Sequence, residues 1–434
     1  MGKTLYTNVN IFDGSGKRTF AGEVLIQGNM INKVAKGKTK IKTKDKDVTV
    51  IDGAGMTLMP GLVESHSHVC YNNCATLADI GRVPPEEHMI LAIENAKIML
   101  DQGFTSLFSA AGVGRTKMRL EVALRNAINA GKFPGPRLRA AGPEITATGS
   151  LGDERQLHMY QESVGFIADG VDEVLRACRL CAREGVDNLK INISGDEFNA
   201  PGQAEQTTYS DAEVAAAAQV GRERGLTLCT HARADSSVRM ALKHGFTVIY
   251  HADYANNKTI DMLDAKKKDI FLAPAAGAIY ATAYEAGDWG ITREVAEGMN
   301  LFRKMENTAR VYTELRKRGV RCLPGGDYGF AWTPIGANAR DIEHFVNLFG
   351  YSPAEALKAA TMWGGELMGM NTGQVKEGYL ADLLLVDGDP TKDVSILQDS
   401  DRLVGIMLDG SFHKTPDADT LGRRRQQGGA VAAE

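Results

Sequence analysis

Three patterns of hydrophobic and polar residues follow one another along the chain. Residues 1–56 alternate as half-buried strands do, for example over 5–12, and Asp13-Gly14 follows as a turn. From about residue 59, short apolar runs alternate with segments of helical period. After residue 371 the strand pattern returns, over 373–387 and 403–410. The chain is therefore predicted to have a central α/β segment bracketed by β-rich pieces.

The central segment contains eight strand-like runs, each followed by helical sequence. The runs lie at 59–68, 105–108, 137–141, 188–193, 226–231, 247–251, 269–274 and 321–327. The helical segments lie at 85–102, 118–130, 171–184, 211–224, 236–243, 260–268, 296–318 and 353–362. Ser210 and Ser352 are N-cap signals for two of these helices. Eight β-then-α units predict a (β/α)₈ barrel, and the span of roughly 260 residues from His66 to Asp327 matches its usual ~250.

The expected fold class is α/β, a (β/α)₈ TIM barrel with a small β-sandwich domain formed from both termini. The barrel is expected over 59–371 and the composite β-sandwich over 1–58 and 372–414. Residues 415–434 are polar and are expected to form a flexible tail. The lysine-rich stretch 33–46 is expected to be a solvated edge or loop.

Composition and charge exclude several classes of partner. The 434 residues are 43% hydrophobic and 24% charged, which is typical of a globular enzyme. A net charge of −4 provides no electrostatic footprint for nucleic acid or an anionic membrane. No apolar run approaches the ~20 residues of a spanning helix. The start reads as a strand without a signal peptide, and six cysteines do not form a disulfide scaffold, so a cytoplasmic location is expected.

Potential metal ligands lie at the ends of the predicted barrel strands. Two histidines end the first strand, one ends the fifth and one ends the sixth, while an aspartate ends the eighth. Barrel active sites form at the carboxyl ends of the strands, so these side chains are expected to converge. Neutral imidazoles with a carboxylate suit zinc or a similar divalent ion. The candidate metal ligands are His66, His68, Lys190, His231, His251 and Asp327.

Lys190 has two interpretations. It lies within an apolar strand, where a charged lysine is costly unless it is paired or chemically altered. It would either point into the barrel and pair with Asp327 or another acid, or react with CO₂ to form an anionic carbamate that bridges two cations. Asn192 lies two residues further on the same face and could replace or assist Lys190, which leaves a mononuclear site open.

Several motifs together resemble those of one enzyme group. They are MPGLVESHSH at 59–68, NLKINISG at 188–195, CTHA at 229–232, VIYHAD at 248–253, LPGGDYG at 323–329 and VKEGYLADLLLVDGDP at 375–390. Over essentially its whole length the chain resembles the amidohydrolase superfamily, metal-dependent hydrolases related to urease and dihydroorotase. The resemblance implies that His66, His68 and Asp327 hold a first metal ion, that His231 and His251 hold a second, and that Lys190 bridges them.

Two further stretches resemble a narrower branch. LADIGRVPPEEHMILAIENAKIMLDQGFTS at 77–106 and GPEITATGSLGDE at 142–154 look most like phenylurea and molinate hydrolases, beside prolidase-like and ochratoxin-hydrolysing amidases. The expected function is metal-dependent hydrolysis of a C–N bond in a small amide, urea or carbamate, including xenobiotics of those kinds, by metal-activated hydroxide. The alternatives are an Xaa-Pro or N-acyl amino acid dipeptidase and a deaminase. Lys190 argues against the deaminase, which usually lacks this lysine.

The resemblance also suggests roles for individual side chains. Asp327 and His251 are the candidate catalytic residues, with Asp327 passing a proton from water to the leaving nitrogen. One or two divalent ions are expected as cofactors, with zinc favoured over cobalt or manganese and with Lys190 carbamylated. The expected partners are a small-molecule substrate and further copies of the chain. The candidate substrate contacts, all in or after strand-end loops, are Tyr71, Asn72, His158 and Tyr254.

Overall fold

A computed structural model describes residues 2–42, 47–159, 161–198, 200, 202–417 and 421. The chain divides into two compact units. The first is drawn from Met1–Glu64, Ile98–Ser106 and Tyr351–Glu434, and the second from Ser65–Lys97 and Leu107–Gly350. The domain boundaries predicted at 58 and 372 stay a prediction, and most of the predicted tail lies outside the described residues.

The strands, in chain order, are β1 (Lys3–Ile11), β2 (Phe20–Gln27), β3 (Met30–Lys36), β4 (Val48–Asp52), β5 (Thr57–Pro60), β6 (Leu62–Ser67), β7 (Phe104–Ser109), β8 (Arg137–Arg139), β9 (Ile145–Thr146), β10 (Phe166–Ile167), β11 (Asn188–Asn192), β12 (Thr227–Ala232), β13 (Val248–His251), β14 (Phe271–Ala273), β15 (Leu383–Val386), β16 (Leu403–Leu408) and β17 (Ser411–Lys414). The α-helices are α1 (Leu77–Arg82), α2 (Pro85–Asp101), α3 (Leu120–Asn129), α4 (Gly170–Glu184), α5 (Asp211–Arg224), α6 (Asp235–His244), α7 (Asn257–Ala265), α8 (Ala276–Tyr284), α9 (Arg293–Gly298), α10 (Leu301–Lys317), α11 (Arg340–Phe349), α12 (Pro353–Lys358) and α13 (Gly364–Met368). Among these helices, none is both long and apolar enough to cross a membrane.

The first unit is built on one sheet of eight strands. Its order is β17-β16-β15-β5-β1-β2-β3, and β4 pairs with β1. The first half of β1 pairs with β4 and its second half with β5, both in parallel. A bulge between Tyr6 and Val9, with Asn8 at a φ of 52°, separates the two halves. Strands from both termini therefore share one hydrogen-bonded sheet, and the β-sandwich stays a prediction.

The second unit is a mixed α/β structure with parallel strands. A six-stranded sheet has the order β10-β9-β11-β12-β13-β14, and a three-stranded sheet has the order β6-β7-β8. Single parallel bridges link Ala141 to Asn188 and Leu272 to Cys322. The Ser65 hydroxyl donates a hydrogen bond to the carbonyl of Pro324 at 2.6 Å. The carboxyl ends of β6, β11, β12 and β13 carry the candidate ligands.

Helix ends follow the sequence signals in two places and depart from them in a third. Ser210 and Ser352 form full capping boxes at α5 and α12, which confirms both predicted N-caps. The helix predicted over 296–318 is wrong in its continuity. Asn300 adopts a φ of 55°, which a helix cannot contain, and it separates α9 from α10.

The eighth predicted strand, 321–327, is also wrong in its extent. Only Cys322 forms a strand-like bridge, and the residues after it form a loop. Gly325 and Gly326 follow Pro324, and Asp327 adopts a φ of 61°. A residue in the left-handed region ends a ladder, because its peptide groups no longer face the neighbouring strand. Asp327 thus lies on a glycine loop and not on a strand.

Candidate metal centre

Three predicted ligands converge at the end of β6. The Nε2 atom of His68 lies 3.0 Å from Oδ1 of Asp327, and Nε2 of His66 lies 3.6 Å from the same oxygen. One donor atom from each residue falls within 4.8 Å of the others. His66 and His68 share a face because they are two residues apart on an extended segment. The geometry suits a single divalent cation held by two imidazoles and a carboxylate.

The remaining two histidines lie beside this cluster. The ring centroids of His231 and His251 are 4.4 Å apart, and those of His66 and His251 are 5.3 Å apart. They are adjacent because β12 and β13 are neighbours in the sheet. All four histidine side chains are buried, and together with Lys190 and Asp327 they line one cavity.

Backbone carbonyls orient two of the rings. Nδ1 of His68 lies 3.1 Å from the carbonyl of Ala111, and Nε2 of His231 lies 3.1 Å from the carbonyl of Gly195. A carbonyl only accepts, so each of these nitrogens carries the proton, and the opposite ring nitrogen keeps its lone pair. The buried Nδ1 of His251 has no hydrogen-bond partner among the described residues. These nitrogens fit the requirements of a cation site.

The charge state of the cluster also suits a cation. Burial lowers the pKa of His66 and of His251 well below the usual histidine range, and it lowers the pKa of His231 to about 3. Burial alone would raise the pKa of Asp327, but the adjacent His66 and His68 outweigh it and hold that pKa below its usual value. Neutral imidazoles beside an ionised carboxylate are the protonation states that bind a metal ion.

Lys190 is buried in β11. Its Nζ atom lies 4.6 Å above the ring of Tyr250, and only 3% of the residue is exposed. No salt bridge to Lys190 occurs within the described part of the chain, so the structure does not contain the predicted pair with Asp327. Burial lowers the pKa of this amine, although Glu144 and Asp327 partly oppose the effect. Lys190 is thus a buried amine at the wall of the cavity with no direct ion pair among the described residues.

Asn192 is engaged away from the cavity. Its amide nitrogen donates to the carbonyl of Leu151 at 3.0 Å, and Asn192 does not line the cavity. Glu144, by contrast, lines the cavity, is 3% exposed and has its pKa raised by burial. Sequence reasoning missed Glu144, although it lies only three residues after the predicted strand 137–141, near the carboxyl end where ligands were expected.

Two of the candidate ligands sit on strained backbone. His251 has a φ of 76° and Asp327 a φ of 61°, both in the region that favours glycine. Such conformations cost about 1–3 kcal/mol each and concentrate at functional sites. Gly325 permits the approach of the loop, because a Cβ atom there would lie 2.5 Å from the Ser65 hydroxyl and 2.8 Å from the backbone nitrogen of His66.

A buried ionic network supports the His231 side of the cavity. Arg233 forms salt bridges to Asp196 and to Asp253, and Nζ of Lys304 lies 3.3 Å from Asp196. All four residues are at most 3% exposed. Asp196 also lies 3.6 Å from Nε2 of His231. This network was missed from the sequence, although Arg233 and Asp253 each follow a ligand histidine by two residues.

The predicted substrate contacts have different positions. The ring of Tyr71 stacks on His68 at 4.1 Å and lines the cavity. Asn72 is half-buried and His158 is exposed, and neither lines it. Tyr254 is half-buried beneath the guanidinium of Arg303 and is also absent from the lining. The structure therefore brings Tyr71 to the six candidate ligands and leaves the other three contacts apart.

Comparison with known proteins decides the family. Residues 57–412 match the sequence profile described as the Amidohydrolase family, which covers most of the chain. The chain belongs to the amidohydrolase family. Amidohydrolases are generally metal-dependent, and in this member His66, His68 and Asp327 form a potential metal site.

Relatives of this amidohydrolase confirm the branch predicted from the sequence. Ochratoxinase from Aspergillus niger is 26% identical over 383 residues, which cover 83% of this chain and 76% of that protein. A crystal structure of a Xaa-Pro dipeptidase with bound methionine superposes with a TM-score of 0.79 at 24% identity, covering 95% of this chain and 100% of the other. Phenylurea hydrolase B superposes with a TM-score of 0.73 at 21% identity over 95% and 96% of the two chains. At these identities the two structural matches show a shared fold.

Proposed function

We propose that this amidohydrolase is a metal-dependent hydrolase of a C–N bond in a small amide, urea or carbamate. The observation that carries the proposal is the convergence of six potential ligands in one buried cavity. Its similarity to proteins named ochratoxinase and phenylurea hydrolase supports substrates of this kind. The closed (β/α)₈ barrel is part of the same proposal, supported by the parallel bridges that extend the second unit's sheets.

The chain's own residues would hold one or two divalent ions. His66, His68 and Asp327 would hold the first, and His231 and His251 the second, with zinc favoured over cobalt or manganese. A carbamate on Lys190 would bridge the two, and the absence of a salt bridge to this buried amine among the described residues supports that modification. When bound, a divalent ion supplies Lewis-acid chemistry that polarises a carbonyl and acidifies water.

Asp327 is the proposed general base and acid. Its carboxylate is ionised and faces the two imidazoles of His66 and His68, so it can accept a proton from water at Oδ1 or Oδ2. It then returns that proton to the leaving nitrogen, a step that matters because an amine anion leaves poorly. His251, on strained backbone beside His231, is the second proposed catalytic side chain.

Substrate contacts and cellular context remain part of the proposal. Tyr71 is the contact best supported, because it lines the cavity and stacks on His68. Asn72, His158 and Tyr254 do not line the cavity, so they would contact only a substrate that extends beyond it. The cytoplasmic location and the homo-oligomer rest on the sequence and on the family resemblance.

Two other reactions are supported by particular relatives. The fold match to a Xaa-Pro dipeptidase supports hydrolysis of a peptide-type C–N bond. A 5'-deoxyadenosine deaminase from Methanococcus maripaludis, 23% identical over 399 residues, supports deamination. Lys190 favours the hydrolases, because a bridging ligand is needed only where two cations share the site.

Metal analysis of the purified chain tests the proposal. About two zinc, cobalt or manganese ions per chain are expected, falling to about one in Lys190→Ala, and hydrolysis of amides, ureas or carbamates should accompany the metal. One ion in the native protein favours the mononuclear alternative with Asn192, and none after metal supplementation contradicts the proposal. His66→Ala should abolish hydrolysis while the fold persists. His244→Ala is the matched control, because this histidine pairs with exposed Asp211 away from the cavity.

A further inference from the structure

A second cavity opens beside the metal centre and is lined by aromatic rings. It measures about 330 Å³, within the size range of small-molecule sites. Leu77, Phe198 and Phe330 line both this cavity and the one that holds the candidate ligands. Trp289 and Trp332 line only the second cavity. We call it the aromatic vestibule, defined by Leu77, Phe198, Trp289, Phe330, Trp332 and Glu154.

Three rings of the vestibule are nearly parallel, and the fourth, Trp289, is tilted. Phe198 and Phe330 lie 5.7 Å apart with planes 14° from parallel, and Phe330 and Trp332 lie 5.4 Å apart with planes 6° from parallel. Trp289 lies 6.2 Å from Trp332, with the two ring planes 58° apart. The two near-parallel pairs have offset-stacked spacings, the arrangement that aromatic rings prefer to a face-to-face sandwich.

The row of rings is continuous with the candidate ligands. Tyr71 meets Phe330 edge-on at 5.7 Å, and the same ring stacks on His68 at 4.1 Å. A group held in the vestibule would therefore be connected to the cavity around Asp327 through the shared wall of Phe198 and Phe330.

The outer rings remain exposed to solvent. Trp289 is 44% exposed and Phe198 is 36% exposed, whereas Phe330 and Trp332 are buried. Large apolar groups left exposed around a concave surface commonly mark a ligand-binding site, because a ligand removes them from water.

One polar group interrupts the aromatic wall. Oε2 of Glu154 accepts a hydrogen bond from the backbone nitrogen of Val164 at 3.2 Å, while Oε1 is buried and has no hydrogen-bond partner among the described residues. Burial raises the pKa of Glu154 to about 7, with Glu144 and Asp153 adding to the effect. A buried acceptor without a donor is unfavourable, so an N–H group entering the vestibule would be bound there.

We propose that the aromatic vestibule binds a planar aryl group of the substrate, with Glu154 accepting a hydrogen bond from an adjacent N–H. The substrate class is therefore N-aryl amides, ureas or carbamates. The inference rests on the proposed function, since it assigns a subsite to the same reaction. Saturated rings of equal size would fill the space but would lose the stacking energy, which amounts to about three- to tenfold in affinity.

Binding of non-hydrolysable ligands to the metal-loaded full chain tests this subsite. N-phenylmethanesulfonamide should bind about three- to tenfold more tightly than N-cyclohexylmethanesulfonamide by calorimetry. Trp289→Ala should reduce that preference, and Trp289→Phe should restore it. Trp363→Phe is the matched control, because Trp363 lies in the other unit under Lys358 and does not line the vestibule. The subsite would be overturned if the native chain bound the two ligands with equal affinity, or if Trp289→Ala lost the same affinity for both.

A second pair of ligands isolates the hydrogen bond to Glu154. Glu154→Leu should weaken binding of N-phenylmethanesulfonamide severalfold and leave its N-methyl derivative, which has no N–H, unchanged. Equal effects on both ligands would overturn the role of Glu154. Aryl preference without any hydrolysis of anilides or phenylureas contradicts the proposed function and leaves the subsite standing. Hydrolysis of anilides or phenylureas without any aryl preference contradicts the subsite and leaves the proposed function standing.

Discussion

Asp341 joins the first turn of α8 to the loop that carries Asp327, and its replacement by asparagine should separate stability from metal binding. Its carboxylate accepts hydrogen bonds from the backbone nitrogens of Gly277 at 2.9 Å and Gly325 at 2.8 Å. Gly325 lies two residues before Asp327, so this contact fixes the loop that carries a predicted ligand. Asp341→Asn keeps the shape of the side chain and removes the charge.

The magnitude follows from the burial of this carboxylate. Asp341 is fully buried, and burial raises its pKa to about 6 from an ordinary 3.8, despite the two backbone donors. That difference corresponds to about 3 kcal/mol against the ionised form at neutral pH. Because the folded pKa is raised, the stability that Asp341 contributes is greatest at low pH and is lost as the pH rises through about 6. Asp341→Asn has no ionisable group at this position, so its stability does not fall for this reason as the pH rises.

Urea unfolding at pH 4.5 and pH 7.5 measures the first consequence. Asp341→Asn should gain about 2 kcal/mol relative to the native chain between these pH values, because part of the loss between pH 3.8 and 6 has already occurred at pH 4.5. The second consequence is weaker metal binding, by about tenfold, because residues that orient metal ligands typically contribute that much to affinity. Competition with a chromophoric chelator measures it.

Asp382→Asn is the matched control for metal affinity. Asp382 is also buried and accepts hydrogen bonds from the backbone of Asp409 and the hydroxyl of Thr372, but it lies in the other unit. Its replacement should leave metal affinity unchanged. The reasoning is refuted if Asp341→Asn loses stability relative to the native chain as the pH rises, or if both variants reduce metal affinity equally.

Two further substitutions test other parts of the second unit. Burial lowers the pKa of His344 to about 4, so folding loses stability as the pH falls from about 6.5 through 4. Between pH 7 and 4.5 this loss amounts to about 2 kcal/mol, and His344→Phe should remove it, as urea unfolding at the two pH values would show. Gly325→Ala should destabilise the chain by about 1–3 kcal/mol and reduce activity, because its Cβ would overlap Ser65 and the backbone next to it. Gly287→Ala, where a Cβ meets nothing within 4 Å, should do neither, and equal effects of the two alanines would contradict the steric argument.

Much of the site was predictable because its ligands follow local rules. His66 and His68 share a face through strand alternation, and His231 and His251 come together because neighbouring parallel strands end at one edge. For these histidines, the alternation of residues along a strand and the position at a strand end are enough to predict where the side chains lie. The loop of Asp327 was not predictable, because its conformation depends on the close approach of Gly325 to His66, which no local pattern records.

The residues missed from the sequence share a different property: their partners are distant in the chain. Lys304 pairs with Asp196 across 108 residues, and Arg233 connects Asp196 to Asp253. Each of these looks like an ordinary surface charge until the fold buries it. Buried ion pairs contribute little net stability, since desolvation offsets most of their attraction. Stability alone therefore does not account for the four buried charged residues beside His231. A role in fixing the position of the His231 ring beside the cavity does account for them.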